Sequence, residues 1–226
     1  MPVSTTTLTT IKARCQRRVG DDTTKHWSAA EWLTVFGEVT YQLLNDLMYV
    51  EAVPLFDYLL DNINLTLTAD TESVSYASQI TTASKTFYKF WKATWDDYDV
   101  NMVSNKDHWM AIQGHRLCSQ EVPYMTFSTN GTFLLRPKPQ SGTLTNFYFW
   151  WVKPITTISA LNSTKIDLSE PAVPLFVHLV CEEYWLTRNN NEKAQYERDR
   201  YNTEFPKIVS PYRQSKTKLI QPSNKG

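Results

Sequence analysis

His108, His115 and Cys118 are the residues of this 226-residue chain whose types and closeness could hold a metal ion. A tetrahedral zinc site needs a fourth ligand at short spacing, and the sequence has neither CxxC nor HxxxH, so no metal site is expected. The acidic run Trp95-Asp96-Asp97-Tyr98-Asp99 offers carboxylates to a hard cation. It lacks the alternation and the glycine of a calcium loop and reads as a solvated loop. Nucleophilic chemistry has no better support: there is no GxSxG elbow, and Cys181 lies in an apolar helical run where a thiolate is disfavoured. His178 shares that run and reads as a hydrogen-bonded core histidine. Glu182 and Glu183 are adjacent, about 100° apart round a helix, and cannot pair as acid and base. With six glycines and no GxxxxGK or GxGxxG, no phosphate cradle exists. Neither an enzyme nor a cofactor is expected.

Charge narrows the partners. Lys plus Arg equal Asp plus Glu at 23 each, so no global basic field draws the chain to nucleic acid. The balance is uneven locally. Trp27 to Met110 holds twelve acidic residues and four basic ones, whereas Pro206 to Gly226 holds Lys207, Arg213, Lys216, Lys218 and Lys225 and no acid. Three widely spaced cysteines, Cys15, Cys118 and Cys181, argue against a disulfide framework and for a reducing compartment. MPVSTTTLTT has neither a basic start nor an apolar segment, so no targeting signal is expected there. The apolar stretch AVPLFVHLVC falls short of the ~20 residues of a membrane span.

The elements follow from periodicity. A helix is expected from about Thr6 to Val19, with Leu8, Ile11, Cys15 and Val19 on one stripe. A second runs from a Ser28/Glu31 capping box to about Met48, with Trp32, Val35, Phe36, Val39, Leu43 and Leu47 at helical spacing. VPLFDYLLDNI reads as a short helix or an irregular connection after Pro54. From about residue 63 to 165 the period shortens: LTLTADTESVSY, TFYKFWKATW, MTFS, GTFLL and LTNFYFWWV read as strands of an antiparallel sheet or small sandwich, with one short helix at KDHWMAIQG. Ser169, Pro171 and Pro174 then open a helix that is apolar on most sides, the centre of a bundle. NNNEK breaks it, and a last helix carries Tyr201, Phe205 and Ile208.

The expected fold is therefore α+β: a helical bundle of residues 1–62 and 166–210, an inserted antiparallel β lobe at 63–165, and an extended basic arm at 211–226. Within the lobe, FLLR, the turn PKPQSG and NFYFWWV read as a hairpin. Its return strand puts Phe147, Phe149 and Trp151 on one face and Tyr148, Trp150 and Val152 on the other. Both faces are apolar. One suits the lobe's own core, and the other requires a second sheet, a neighbouring subunit or a ligand.

This succession of capped helix, LTADTESVSY, RPKP turn, WWVKP, AVPLFVHLVCEEYW and NEKAQYERDRYNTEF resembles the head-to-tail adaptor proteins of tailed bacteriophages, including the tail tubular A or gatekeeper group. The resemblance spans roughly residues 6 to 209. It implies a structural virion protein at the head-to-tail interface, made in the host cytoplasm, forming a homo-dodecameric ring below the portal protein. Such a ring docks a downstream tail or nozzle protein and lets double-stranded DNA pass without holding it. Under that resemblance Tyr148, Trp150, Arg136 and Lys138 meet a subunit or tail protein. Tyr212, Arg213, Lys216, Lys218, Leu219 and Ile220 form a portal-binding arm, and Glu72, Asp96, Asp97 and Asp99 line the channel, where like charge repels phosphate. The alternative is a receptor- or carbohydrate-binding tail module, since exposed Trp and Tyr also stack on sugars.

Overall fold

A computed structural model describes residues 4–21, 26–96, 98–114, 119, 121–128, 131–140, 146–155, 158, 160–161 and 166–213. In chain order its helices are α1 (Leu8–Val19), α2 (Ala29–Tyr49), α3 (Tyr76–Thr82), α4 (Lys106–Gly114), α5 (Val173–Leu186) and α6 (Asn191–Val209). Its strands are β1 (Leu60–Asn64), β2 (Ser73–Ser75), β3 (Lys89–Trp95), β4 (Tyr98–Asp99), β5 (Asn101–Met102), β6 (Tyr124–Phe127), β7 (Thr132–Arg136) and β8 (Phe147–Val152). Helices and mainly antiparallel sheets make an α+β chain. It divides into two compact units: Met1–Tyr58 together with Ile155–Gly226, and Leu59–Pro154.

In the helical unit, Thr7 caps α1 by accepting from the Thr10 amide, and Gly20 closes it at φ 71°, a left-handed conformation that costs glycine little. Leu8, Ile11 and Cys15 are fully buried on one stripe. Reciprocal bonds cap α2: the Glu31 amide donates to Ser28 Oγ at 3.3 Å and the Ser28 amide to Glu31 Oε2 at 2.6 Å. The bond from the Ser28 amide, helped by the Ser28 hydroxyl, holds the exposed Glu31 carboxyl below its ordinary value. Helix α5 is central, packed by α1, α2 and α6, which is why its sequence is apolar nearly all round. The N-terminal segment laces onto the approach to α5: the Ser4 amide donates to Leu168 O at 2.7 Å, and the Ser4 and Thr6 hydroxyls both donate to the Glu170 carboxylate. Helix α6 is capped by Asn190 and runs through Pro206 to Val209.

The β unit is a sandwich of two four-stranded sheets, ordered β1-β8-β3-β4 and β2-β7-β6-β5, antiparallel except for the β5–β6 pair. Aromatic rings fill the space between them. Phe133 of β7 stacks on Phe147 and Phe149 of β8 at 5.4 and 5.8 Å, and Tyr76 stacks on Phe149 at 5.0 Å. This arrangement corrects the hairpin reading. FLLR and FYFWWV lie in different sheets, because their apolar faces stack across the core and β8 is a central strand needing β1 and β3 as neighbours.

Two further expectations change. In LTADTESVSY only Ser73–Ser75 is strand; Tyr76 begins α3, which turns Tyr76 and Ile80 into the core. Gly131 permits that turn, since at φ 69° a Cβ there would run into the Ala77 Cβ, and its carbonyl accepts from the Ala77 amide. In VPLFDYLLDNI two short 3₁₀ turns lead directly into β1, which pairs with Tyr148 to Val152. The β unit thus begins at Leu59 and ends at Pro154, earlier at both ends than the 63–165 of the sequence reading.

Candidate interaction surface

Strand β8 presents its two faces to different surroundings. Phe147, Phe149 and Trp151 are at most 1% exposed, and Trp151 Nε1 donates to Thr86 O at 2.6 Å. On the other face Val152 is buried, Trp150 is half-buried and Tyr148 is 36% exposed. Register places Tyr148 between Asn64 of β1 and Thr94 of β3, and Trp150 between Asn62 and Lys92. Directly opposed residues of an antiparallel pair share a face, so these six side chains form one surface. Lys92 Nζ lies 5.6 Å from the Trp150 ring centroid, a cation–π contact that covers part of the indole. The surface combines two aromatic rings, two amides, a hydroxyl and an ammonium. It can stack, donate and accept, as protein-binding faces do.

The other sequence-selected residues scatter. Arg136 is not available to a partner: it is 8% exposed, its Nε donates to Glu72 Oε1 and its Nη1 to Trp109 O, both at 2.7 Å, and its guanidinium lies 4.3 Å from the Trp109 ring centroid. A buried guanidinium needs such partners, which is the reason it turns inward. Glu72, expected in a channel lining, is the other half of that ion pair. Lys138 is exposed but follows β7, in the sheet that does not contain Tyr148 and Trp150. Asp96 is half-buried in the β3–β4 turn at φ 52°, its amide donating to Asn146 O, while Asp99 is exposed on β4. Tyr212 is half-buried in a 3₁₀ turn that continues α6 and packs near Val53–Leu55, so an extended arm does not begin at 211; Arg213 is exposed. Asp97, His115, Cys118, Lys216, Lys218, Leu219 and Ile220 lie outside the described residues.

His178 is the hydrogen-bonded core histidine that the sequence suggests, but sequence reasoning missed the buried polar network it joins in the helical unit. His178 of α5 places Nδ1 2.9 Å from Glu197 Oε2 and 3.0 Å from Arg18 Nη2, and Nε2 3.2 Å from Glu204 Oε2. Arg18 Nε also donates to Glu197 at 2.8 Å. Burial alone would raise the Glu197 carboxyl, but hydrogen bonds from His178 and Arg18 outweigh it and hold the group below its ordinary value. Beside it, burial raises Glu182 despite its bond from Arg198, and the Tyr201 hydroxyl donates to Asp46. Arg18 and Glu197 stand 179 residues apart, beyond any spacing rule. The available signal was a carboxylate on the Ala194, Glu197, Tyr201 stripe facing a histidine in an apolar helix. Both imidazole nitrogens are engaged by carboxylates.

Cys15 and Cys181 are free buried thiols, and burial raises Cys15 well above its ordinary value, with Cys181 adding to the rise. Among the described residues no group of His, Cys, Asp and Glu could hold a metal ion, and no helix is long and apolar enough to cross a membrane. No protein-family model matches the chain, and no curated protein matches it.

Proposed function

We propose that the protein is a non-catalytic structural component of a tailed-phage virion, a head-to-tail adaptor whose copies form a ring below the portal, extend the DNA channel and dock the tail. The observation that carries this reading is the outer face of β8, where Tyr148 is exposed and Trp150 half-buried, on a sandwich whose core encloses Phe133, Phe147, Phe149 and Trp151. A strand that stacks one side internally and presents rings beside polar groups on the other is suited to a second protein. The order of elements in both units, which resembles that of the adaptors, supports it further. In this reading Asp96, Asp97 and Asp99 face passing DNA, and the basic segment holding Arg213, Lys216, Lys218, Leu219 and Ile220 reaches the portal. Copies assemble in the host cytoplasm and remain in the virion.

Negative-stain imaging of virions, or of the protein mixed with portal rings, tests it. The expected result is added density forming a ring between capsid and tail, and density anywhere else overturns the reading. The alternative of a carbohydrate-binding tail module gains from Asn62 and Asn64, whose amides flank the two rings as sugar-binding groups would. Binding on a glycan array that is lost in Trp150→Ala would favour that alternative.

A further inference from the structure

The helical unit carries a knob and a groove of complementary chemistry. The knob is Tyr196 on α6, 52% exposed, its hydroxyl accepting from Arg200 Nη2 at 2.9 Å and Nε at 3.1 Å. Arg18 stands beside it, holding the next residue in sequence, Glu197. An exposed tyrosine among arginines is the composition that dominates protein interfaces. The groove, of about 390 Å³, lies along α2 and is lined by Leu33, Gly37, Tyr41, Ile155 and Ile158, with the exposed carboxylate Glu38 at its rim. A Cβ built on Gly37 meets no atom within 4 Å, so the groove has room at its floor.

The two features point away from each other. Asp46 of α2 meets Tyr201 of α6, and Gly37 precedes Asp46 by nine residues, about 180° round the helix. The groove therefore faces away from α6, and one copy cannot fill its own groove with its own Tyr196. A second copy can. We propose that copies of this chain contact one another head to tail through this unit, Tyr196 of one entering the α2 groove of the next while Arg200 meets Glu38. A heterologous contact of this kind, repeated, closes into a ring or runs on as a filament. The closed form rests on the adaptor reading; the contact itself rests on the knob, the groove and their charges.

Sedimentation velocity of the full chain from about 1 to about 100 μM, a range that protein interfaces span, tests the contact. Self-association is expected for the wild type and should weaken at least about tenfold in Tyr196→Ala, as for loss of a hot spot. Gly37→Phe should weaken it equally with the melting temperature kept, because the new ring occupies the groove and phenylalanine suits a helix interior better than glycine. Arg200→Glu and Glu38→Arg should each weaken association, and the two together should restore it. A wild type that stays monomeric, a Gly37→Phe that associates normally, or a double swap as weak as the single ones overturns the contact. The adaptor reading fails separately: if Gly37→Phe still enters a ring between capsid and tail, that reading survives and this contact falls.

Discussion

The helical unit and the β unit of this chain are held together by different physics. The helical unit buries Asp21, His178, Glu182 and Glu197 among its helices, whereas Arg136 is the charged side chain buried in the β unit among the described residues. The β unit relies on stacked rings from Tyr76, Phe133, Phe147 and Phe149, with Trp151 tilted against Phe149. The only ionisable group in that stack is the Tyr76 phenol, which burial raises, so acid leaves the ring packing untouched. Buried charges need every partner present, since a lone survivor in low dielectric costs more than the pair contributed.

The largest effect that would sharpen this contrast is expected from Phe149→Ala, which opens a cavity at the centre of the ring stack. It should destabilise the β unit by about 4 kcal/mol, read as faster amide exchange in β1, β3 and β8. Unchanged exchange in those strands would show that the stack is not what holds the sandwich. Next, Glu197→Ala leaves His178 and Arg18 facing each other without their carboxylate. Arg18 is 32% exposed and partly solvated, so the expected loss is about 2 kcal/mol rather than more, read by denaturant unfolding followed on α5 and α6. A loss below about 0.5 kcal/mol, the range of ordinary surface substitutions, would reduce the network to a surface feature.

Acid should separate the units without any mutation. The folded Glu197 carboxyl lies below the ordinary 4.5, so its contribution is fully present above that value and is lost as the pH falls through the folded one. Glu170, held low by the Ser4 and Thr6 hydroxyls, acts in the same direction. Glu182 is raised and opposes them, favouring the fold as it takes up a proton. Below pH 4.5 the helical unit should lose protection before the stacked strands do, as measured by hydrogen exchange across a pH series. The smallest effect is expected from Ser28→Ala at the exposed start of α2, about 1 kcal/mol, confined to that helix.

How much of this was legible in the sequence follows from the range of the interactions. The α2 cap and its stripe were readable because Ser28 and Glu31 are three residues apart and Trp32 to Leu47 keep helical spacing. That Phe147, Phe149 and Trp151 share a face was readable from alternation, but with both faces apolar alternation could not say which one is the core. Nor could it say which strand they face. Partner choice depends on stacking between Phe133 and Phe149, and a proline-bounded turn between two apolar strands signals a hairpin as readily as a crossing to a second sheet. Tyr76 misled for a related reason: the helix it begins is fixed by a close approach to Gly131, more than fifty residues away. Of the residues chosen for the interface, Tyr148 and Trp150 remain together, but Arg136 turned inward to the half-buried Glu72, chosen for the channel, and to the Trp109 ring.

The outer face of β8 carries Tyr148, 36% exposed, beside the half-buried Trp150, and the proposed function requires that face to have an occupant. A density map of the assembled particle at side-chain detail would test it directly. The account predicts that Tyr148 and Trp150 lie against another chain; finding both rings open to solvent in the assembled particle would contradict it.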